Sequence, residues 1–440
     1  MEVEPEVQRI GRELFDAFPS RARHPLRTLD QKAMQLSSGD EELRAALFRL
    51  VDVTPAARSL DDLARHLGEY LEEVDQRPPA LDAAMRVAHT AAGRRALGAA
   101  AARGVRHMAH RFIVGESPDA ALATLRRLWD AGIATTVDLL GEATVTQAEA
   151  DRYADRCMEA LDVLAASTPR WPGRPMLESD SIGPLPRVNL SVKVSALTPL
   201  LRPDAPEVGR DDAARRMRPL LRRARDVGAH LHIDMESLDT LEATIELALE
   251  LLAEQEFRDG PSAGIVLQAY LRDSPETLRR VLDWARATAR AQPLTVRLVK
   301  GAYWDHEIVE ARQHGWSAPV FEVKADCDRN FEALSRELLE AVPLVRVAVA
   351  SHNLRSVAHA LAVAEGLGRD LEVQVLRGLG DELAEALARS GRRVRSYCPV
   401  GDLVAGMAYL VRRLLENTAN ESFLGEQQRG TPVEELLAAP

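Results

Sequence analysis

The chain has 440 residues, 46% of them hydrophobic, with 56 Lys and Arg against 67 Asp and Glu for a net charge of −11, a length that suits one large core plus an accessory piece. An acidic balance with no clustered basic surface excludes a nucleic-acid scaffold, and pairs such as Arg222-Arg223 and Arg392-Arg393 read as solvated helix or loop faces. Cys157, Cys327 and Cys398 are widely spaced, with no CxxC or Cys/His cluster, so neither metal nor disulfide frame is expected; with an acidic start and no apolar run of about 18 residues, the expectation is a cytoplasmic protein.

Residues 1 to about 77 predict short amphipathic helices, Glu4 to Phe18 and Asp40 to Leu50 among them, and no strand. Pro78-Pro79 marks a boundary, after which the pattern is helical through Arg111. His107 and His110 fall on that helix and read as surface or packing residues. Strand and helix then alternate to about residue 424, and Gly425 to Pro440 is a polar tail. The division expected is 1–90 helical arm, 91–424 barrel and 425–440 tail or linker.

Eight strands are predicted: Thr135 to Leu140, Arg187 to Ser195, His230 to Glu236, Gly264 to Leu271, Thr295 to Ala302, Val345 to Asn353, Leu371 to Leu379 and Val394 to Val400. Between them lie helical patterns such as Asp211 to Val227, Pro275 to Ala291 and Asn330 to Ala341, long enough for right-handed crossovers. Eight strands each followed by a helix close a (βα)8 barrel, whereas doubly wound sheets carry a GxGxxG turn that is missing here. The fold class expected is α/β, a distorted (βα)8 TIM barrel with an all-helical N-terminal region.

Strand period decides what points inward. Asn189, Ser191, Lys193 and Ser195 oppose Val188, Leu190, Val192 and Val194; His232, Asp234 and Glu236 oppose Leu231, Ile233 and Met235; Arg297 and Gln268 oppose their apolar neighbours. Charges of both signs therefore meet in one enclosed space, where an unpaired ion costs several kcal/mol. An internal salt-bridge layer would satisfy them, but polar residues at C-terminal strand ends are where barrels place chemistry. Spacing alone predicts a barrel enzyme handling a small anionic ligand. His352 at a strand end suits capping or ligand contact, Tyr397 suits barrel packing, and Arg412-Arg413 in the helical run Asp402 to Asn417 suits an exposed face.

The motifs DLLGEA at Asp138, NLSVKVSAL at Asn189, HIDME at His232, LQAY at Leu267, VRLVKGAYWD at Val296, SHN at Ser351, SYCPVG at Ser396 and YLVRRLLEN at Tyr409 stand in one order over roughly residues 95 to 424. In these the chain closely resembles the proline dehydrogenase flavoenzymes, in particular the proline dehydrogenase part of the bifunctional proline utilization A proteins. The resemblance implies FAD across the C-terminal mouth of the barrel and oxidation of L-proline to Δ1-pyrroline-5-carboxylate, by hydride transfer from the ring carbon beside nitrogen to flavin N5.

It implies that Lys193, Arg412 and Arg413 bind the substrate carboxylate, that Asp234 and Arg297 form a polar pair near the flavin ring, that Tyr397 packs on the proline ring and excludes a hydroxyl there, and that Glu142 gates the site by pairing with an arginine. Met235, Gln268, Lys300, Gly301, Ala302, Trp304, Ser351, His352, Asn353, Gln374 and Glu416 are the implied cofactor contacts. Gly301 would let backbone approach the cofactor. Arg412 lies about 10 residues along its helix, or ~15 Å, so that helix must cross the barrel opening. Ser351 stands where threonine is usual, and Val373 to Leu379 replaces a more aromatic, His- and Met-containing version on the adenine side.

The partners implied are L-proline, a quinone electron acceptor reached by peripheral contact with the inner face of the membrane, and an aldehyde dehydrogenase domain following the linker-like Val433 to Leu437. Barrel chemistry alone also suits a Schiff-base aldolase using Lys193 or Lys300, and a flavin-binding module without turnover is the other alternative. The N-terminal helices lack a ribbon-helix-helix start, so no repressor role is expected.

Overall fold

A computed structural model describes residues 3–18, 41–53, 57–75, 82, 86, 90–141, 144–402, 406 and 430–440. Eight parallel strands form a closed barrel in chain order: β1 Ala134–Leu139, β2 Asn189–Lys193, β3 His230–Asp234, β4 Ser262–Gln268, β5 Leu294–Val299, β6 Val345–Ala350, β7 Glu372–Leu376 and β8 Val394–Val400. The ring shuts where β1 pairs with β8 in register from Ala134 against Arg395 to Leu139 against Val400.

All eight predicted strands are present, but most end earlier than predicted. The polar residues assigned to strand ends leave the ladder: a helical turn, Val194–Leu197, follows Lys193 directly, and Gly378 turns the chain at φ 87°. The predicted helices also shift at their ends, to Pro206–Asp226, Ser274–Thr288 and Lys324–Glu340.

The outward strand faces are apolar and buried under the helices, as with Leu190, Val192, Leu231, Ile233, Val296, Leu298, Val373 and Val394. The inward face is not filled with the branched aliphatics usual in such barrels. It carries Asn189, Ser191, His230, His232, Asp234, Arg297, Gln374 and Arg395, all buried, and each needs a partner to offset lost hydration.

The N-terminal opening of the barrel is plugged. Asp180 receives the guanidinium of Arg346 at 2.9 Å, and Arg393 donates to the carbonyls of Met176 and Ser179. Arg393 is only 7% exposed, so the expectation that Arg392-Arg393 is a solvated face fails: the start of β8 lies under the plugging loop. The opposite opening, at the C-terminal strand ends, remains for chemistry.

Outside the barrel, helix Glu4–Asp16 lays the fully buried Val7, Ile10 and Leu14 against helix Leu354–Leu367. Each contributes about 2 kcal/mol relative to exposure, more than a surface ion pair such as Arg9 with Glu13. The buried Arg355 joins Glu4 at 2.6 Å, Glu332 at 2.8 Å and the Leu437 carbonyl at 3.0 Å, so the C-terminal turn Val433–Leu436 is held to the same helix. Helices Glu41–Val53, Leu60–Glu72 and Ala91–Phe112 share a smaller apolar cluster built on Leu43, Leu50, Leu63, Leu67 and Leu71. His107 and His110 are exposed on the last of these. Among the described residues no helix is long and apolar enough to cross a membrane.

Candidate functional site

The C-terminal ends of six strands feed one connected network. Lys193, closing β2, bonds its ammonium to Asp138 of β1 and lies 3.6 Å from Asp234 of β3. Asp234 Oδ1 accepts from Ser191 at 2.6 Å and from Arg297 Nη1 of β5 at 2.8 Å. Its Oδ2 accepts from the Tyr397 hydroxyl of β8 at 2.6 Å. Arg297 Nε donates to Gln374 of β7 at 2.7 Å, and the guanidinium stacks 5.4 Å from the centre of the Tyr397 ring. Neighbouring strands in parallel register put Lys193 directly beside Asp234, which is why residues far apart in sequence meet.

The electrostatics follow from burial and pairing. Burial opposes charge on Asp234, yet Lys193 and Arg297 hold its carboxyl below the usual range. Burial also works against the Lys193 ammonium, but Asp138 and Asp234 outweigh it and its pKa is raised. Lys193 is therefore a fixed cation at neutral pH, where an imine-forming lysine needs a depressed pKa. Burial, then Asp138 and Asp234, push Tyr397 well up, so it stays a neutral donor. Deeper in the lumen, His230 bridges Ser262 at 2.8 Å and His232 at 3.2 Å. Burial, followed by Arg395, lowers His230 to about 3, and His232 falls well below 6.5 through burial and Arg297.

The remaining expected cofactor contacts stand at or just after the ends of β3 to β6. Gln268 is buried and donates to the Glu236 carbonyl at 3.0 Å; Met235 is buried in the core. Lys300 is bonded to Asp328, which also takes Lys324 at 2.8 Å. Gly301 has φ 144°, and a Cβ there would lie 2.6 Å from Cε1 of Tyr270. The glycine is thus required by its backbone and by the Tyr270 ring beneath it. Ala302 is exposed, and Trp304 is 39% exposed with its indole N–H on the Phe321 carbonyl. After β6, the Ser351 hydroxyl accepts from Asn353 N–H, His352 Nε2 accepts from Leu376 N–H at 2.9 Å, and Asn353 caps the next helix by accepting from Ser356 N–H. Glu142, Arg412, Arg413 and Glu416 lie outside the described residues, as does nearly all of the predicted helix Asp402 to Asn417.

Asp138, the partner of Lys193, is absent from the residues expected at the site. It is wholly buried and is the one charged residue in the buried strand Ala134–Leu139, a signal available in the DLLGEA motif itself.

Among the described residues, Arg297 Nη2, Gln268 Oε1, Asp138 Oδ2, Ser195 Oγ and Tyr270 Oη at this end of the barrel are buried with no hydrogen-bond partner. A buried donor and acceptor left open cost about 1–3 kcal/mol each, and a flat heterocycle with acceptor atoms and an N–H along its edge would satisfy both. A cavity of about 40 Å3, lined by Asn189, His230, Arg346, Glu372 and Arg395 together with apolar residues, lies at the plugged end. It has room for a few waters only. Among the described residues no cluster of His, Cys, Asp or Glu could hold a metal ion.

Residues 121–426 match the family model described as Proline dehydrogenase, and residues 4–112 match that of the Proline utilization A N-terminal domain. The chain is 34% identical over 346 residues to the bifunctional protein PutA of Klebsiella aerogenes, covering 76% of this chain and 25% of that one. It is 28% identical over 328 residues to proline dehydrogenase 1 of Bacillus subtilis, covering 74% of this chain and 92% of that one. Proline utilization A from Bdellovibrio bacteriovorus, solved after inactivation by N-propargylglycine, superposes with a TM-score of 0.90 at 37% identity over all of this chain and 44% of that one. A Bradyrhizobium japonicum proline utilization A variant gives 0.76 at 28% identity over 46% of its length. The chain thus spans about a quarter of the curated bifunctional relatives it matches.

Proposed function

The chain belongs to the proline dehydrogenase family, and from that premise we propose that it oxidises L-proline to Δ1-pyrroline-5-carboxylate with FAD held across the C-terminal mouth of the barrel. The observation that carries this reading is the convergence of Lys193, Asp234 and Arg297 from three strands into one buried network at that mouth.

Lys193, with Arg412 and Arg413, clamps the substrate carboxylate, so that orientation rather than acid–base strength supplies much of the rate. Tyr397 packs on the ring and, locked by its bond to Asp234, leaves no space for a ring hydroxyl. Glu142 gates entry. FAD, when bound, supplies the hydride-accepting chemistry. Arg297, whose Nη2 has no partner among the described residues, would hold the flavin ring and favour its reduced, negatively charged form. Met235, Gln268, Lys300, Gly301, Ala302, Trp304, Ser351, His352, Asn353, Gln374 and Glu416 form the cofactor cradle.

Residues 1–90 are the helical arm, 91–424 the catalytic barrel and 425–440 the tail that leads to an aldehyde dehydrogenase domain in a longer protein, with a quinone as electron acceptor met at the membrane surface. The Schiff-base reading is disfavoured by the raised Lys193 pKa. The test is turnover: the chain reconstituted with FAD should reduce a quinone analogue in the presence of L-proline, with the cyclic imine as product. Turnover of proline without flavin, or none with it, would overturn the reading.

A further inference from the structure

Arg297 has only donors to offer, so the atom of Gln374 that meets its Nε must be the amide oxygen. The Gln374 amide nitrogen then faces Glu372 and donates to its Oε1 at 2.7 Å. Glu372 has no freedom to turn away, because Arg395 grips it in a two-pronged pair at 2.8 and 3.0 Å while donating onward to the Thr135 carbonyl at 2.8 Å. The Gln374 amide is thus fixed in direction by chemistry at both ends. Since a guanidinium is a rigid planar fork, holding Nε on Gln374 and Nη1 on Asp234 leaves a single direction for Nη2, a buried donor with no partner among the described residues.

We propose that Gln374 is a positioning residue that acts through Arg297, its amide, oriented by Glu372, setting the plane in which the guanidinium presents Nη2 to the flavin. This rests on the reading of the mouth as a flavin site. It gives Gln374 a task beyond the cofactor contact proposed above, since its amide is engaged from both sides inside the barrel. The consequence is electrostatic: a cation held in place favours the reduced, electron-rich ring, and a guanidinium free to swing favours it less.

The test is Gln374→Met, which keeps length and neutrality but removes both hydrogen bonds. Asp370→Asn serves as control, weakening the Arg393 contact and altering the Ser181 contact at the plugged end. In the full chain loaded with FAD, the equilibrium constant for two-electron flavin reduction should fall about tenfold in Gln374→Met, a midpoint lowered by about 30 mV. The apo-protein should bind FAD about tenfold more weakly, and Asp370→Asn should match the parent in both. If Gln374→Met does not accumulate, Gln374→Asn, too short to span both partners, is read the same way. A midpoint and FAD affinity equal to the parent, or an equal change in Asp370→Asn, would overturn the proposal. A parent chain that binds no flavin would instead overturn the functional reading beneath it.

Discussion

Tyr397 gives its phenolic hydrogen to Asp234 across 2.6 Å, so the residue proposed to cover the substrate is locked to the carboxylate that sits between Lys193 and Arg297. Ring bulk and hydroxyl can be separated by mutation. Tyr397→Phe should keep the preference for proline over 4-hydroxyproline, and Tyr397→Ser should narrow the ratio of their kcat/KM values by at least about tenfold, within the range of small steric discriminations. Unchanged discrimination in Tyr397→Ser would remove the steric role.

Asp234→Asn takes away the negative charge shared by two buried cations. Breaking one partner of a buried pair costs about 3–5 kcal/mol, so urea denaturation should show a loss of that order. Glu69→Gln, in an exposed pair with Arg65, should cost less than about 1 kcal/mol. Equal losses would mean the lumen network carries no special stability.

Stability should depend on pH through the lumen histidines. His230 is lowered to about 3, and His232 and, outside the lumen, the buried His359 on helix Leu354–Leu367 are also lowered, each with burial as the main cause. Their folded pKa values lie below the unfolded value near 6.5, so between these limits the unfolded chain binds more protons. Their contribution is therefore complete above about pH 6.5 and is lost as pH falls toward 3, at about 1.4 kcal/mol per pH unit for each histidine that stays neutral. Asp234 and Glu372, lowered carboxylates, add their loss only below about pH 4.5. Unfolding free energies measured from pH 7 to 4.5 should fall, and His232→Gln should flatten the slope. A flat profile in the parent would contradict the neutral histidine pair.

Gly301→Ala should be poorly tolerated. An added Cβ meets the Tyr270 ring, and φ 144° is a region that side chains rarely adopt. The expected loss is about 1–3 kcal/mol, read as a lower melting temperature, together with weaker FAD retention. Gly315→Ala, at φ 69° with open space around it, should cost less; the reverse order would refute the steric account.

What could be read from the amino-acid order was the strand set and the inward parity. Val394–Val400 matched the expected bounds, and Ser191, Lys193, Asp234 and Arg297 all face one another as alternation predicts. Pairing across strands was not legible, because it depends on register: nothing local to Asp138 announces Lys193, and nothing local to Glu372 announces Arg395. Strand ends were overrun because residues such as Ser195 and Glu236 keep the alternating pattern after the ladder has stopped. The close fit of His232 over Gly264, where a Cβ would fall 2.6 Å from the ring, likewise exists only once two strands lie side by side.

The most direct measurement is an anaerobic absorption spectrum of the FAD-loaded chain before and after L-proline. A flavin band that bleaches with L-proline and persists with hydroxyproline is the expected result. A chain that holds no flavin, or a flavin band unmoved by L-proline, would contradict it.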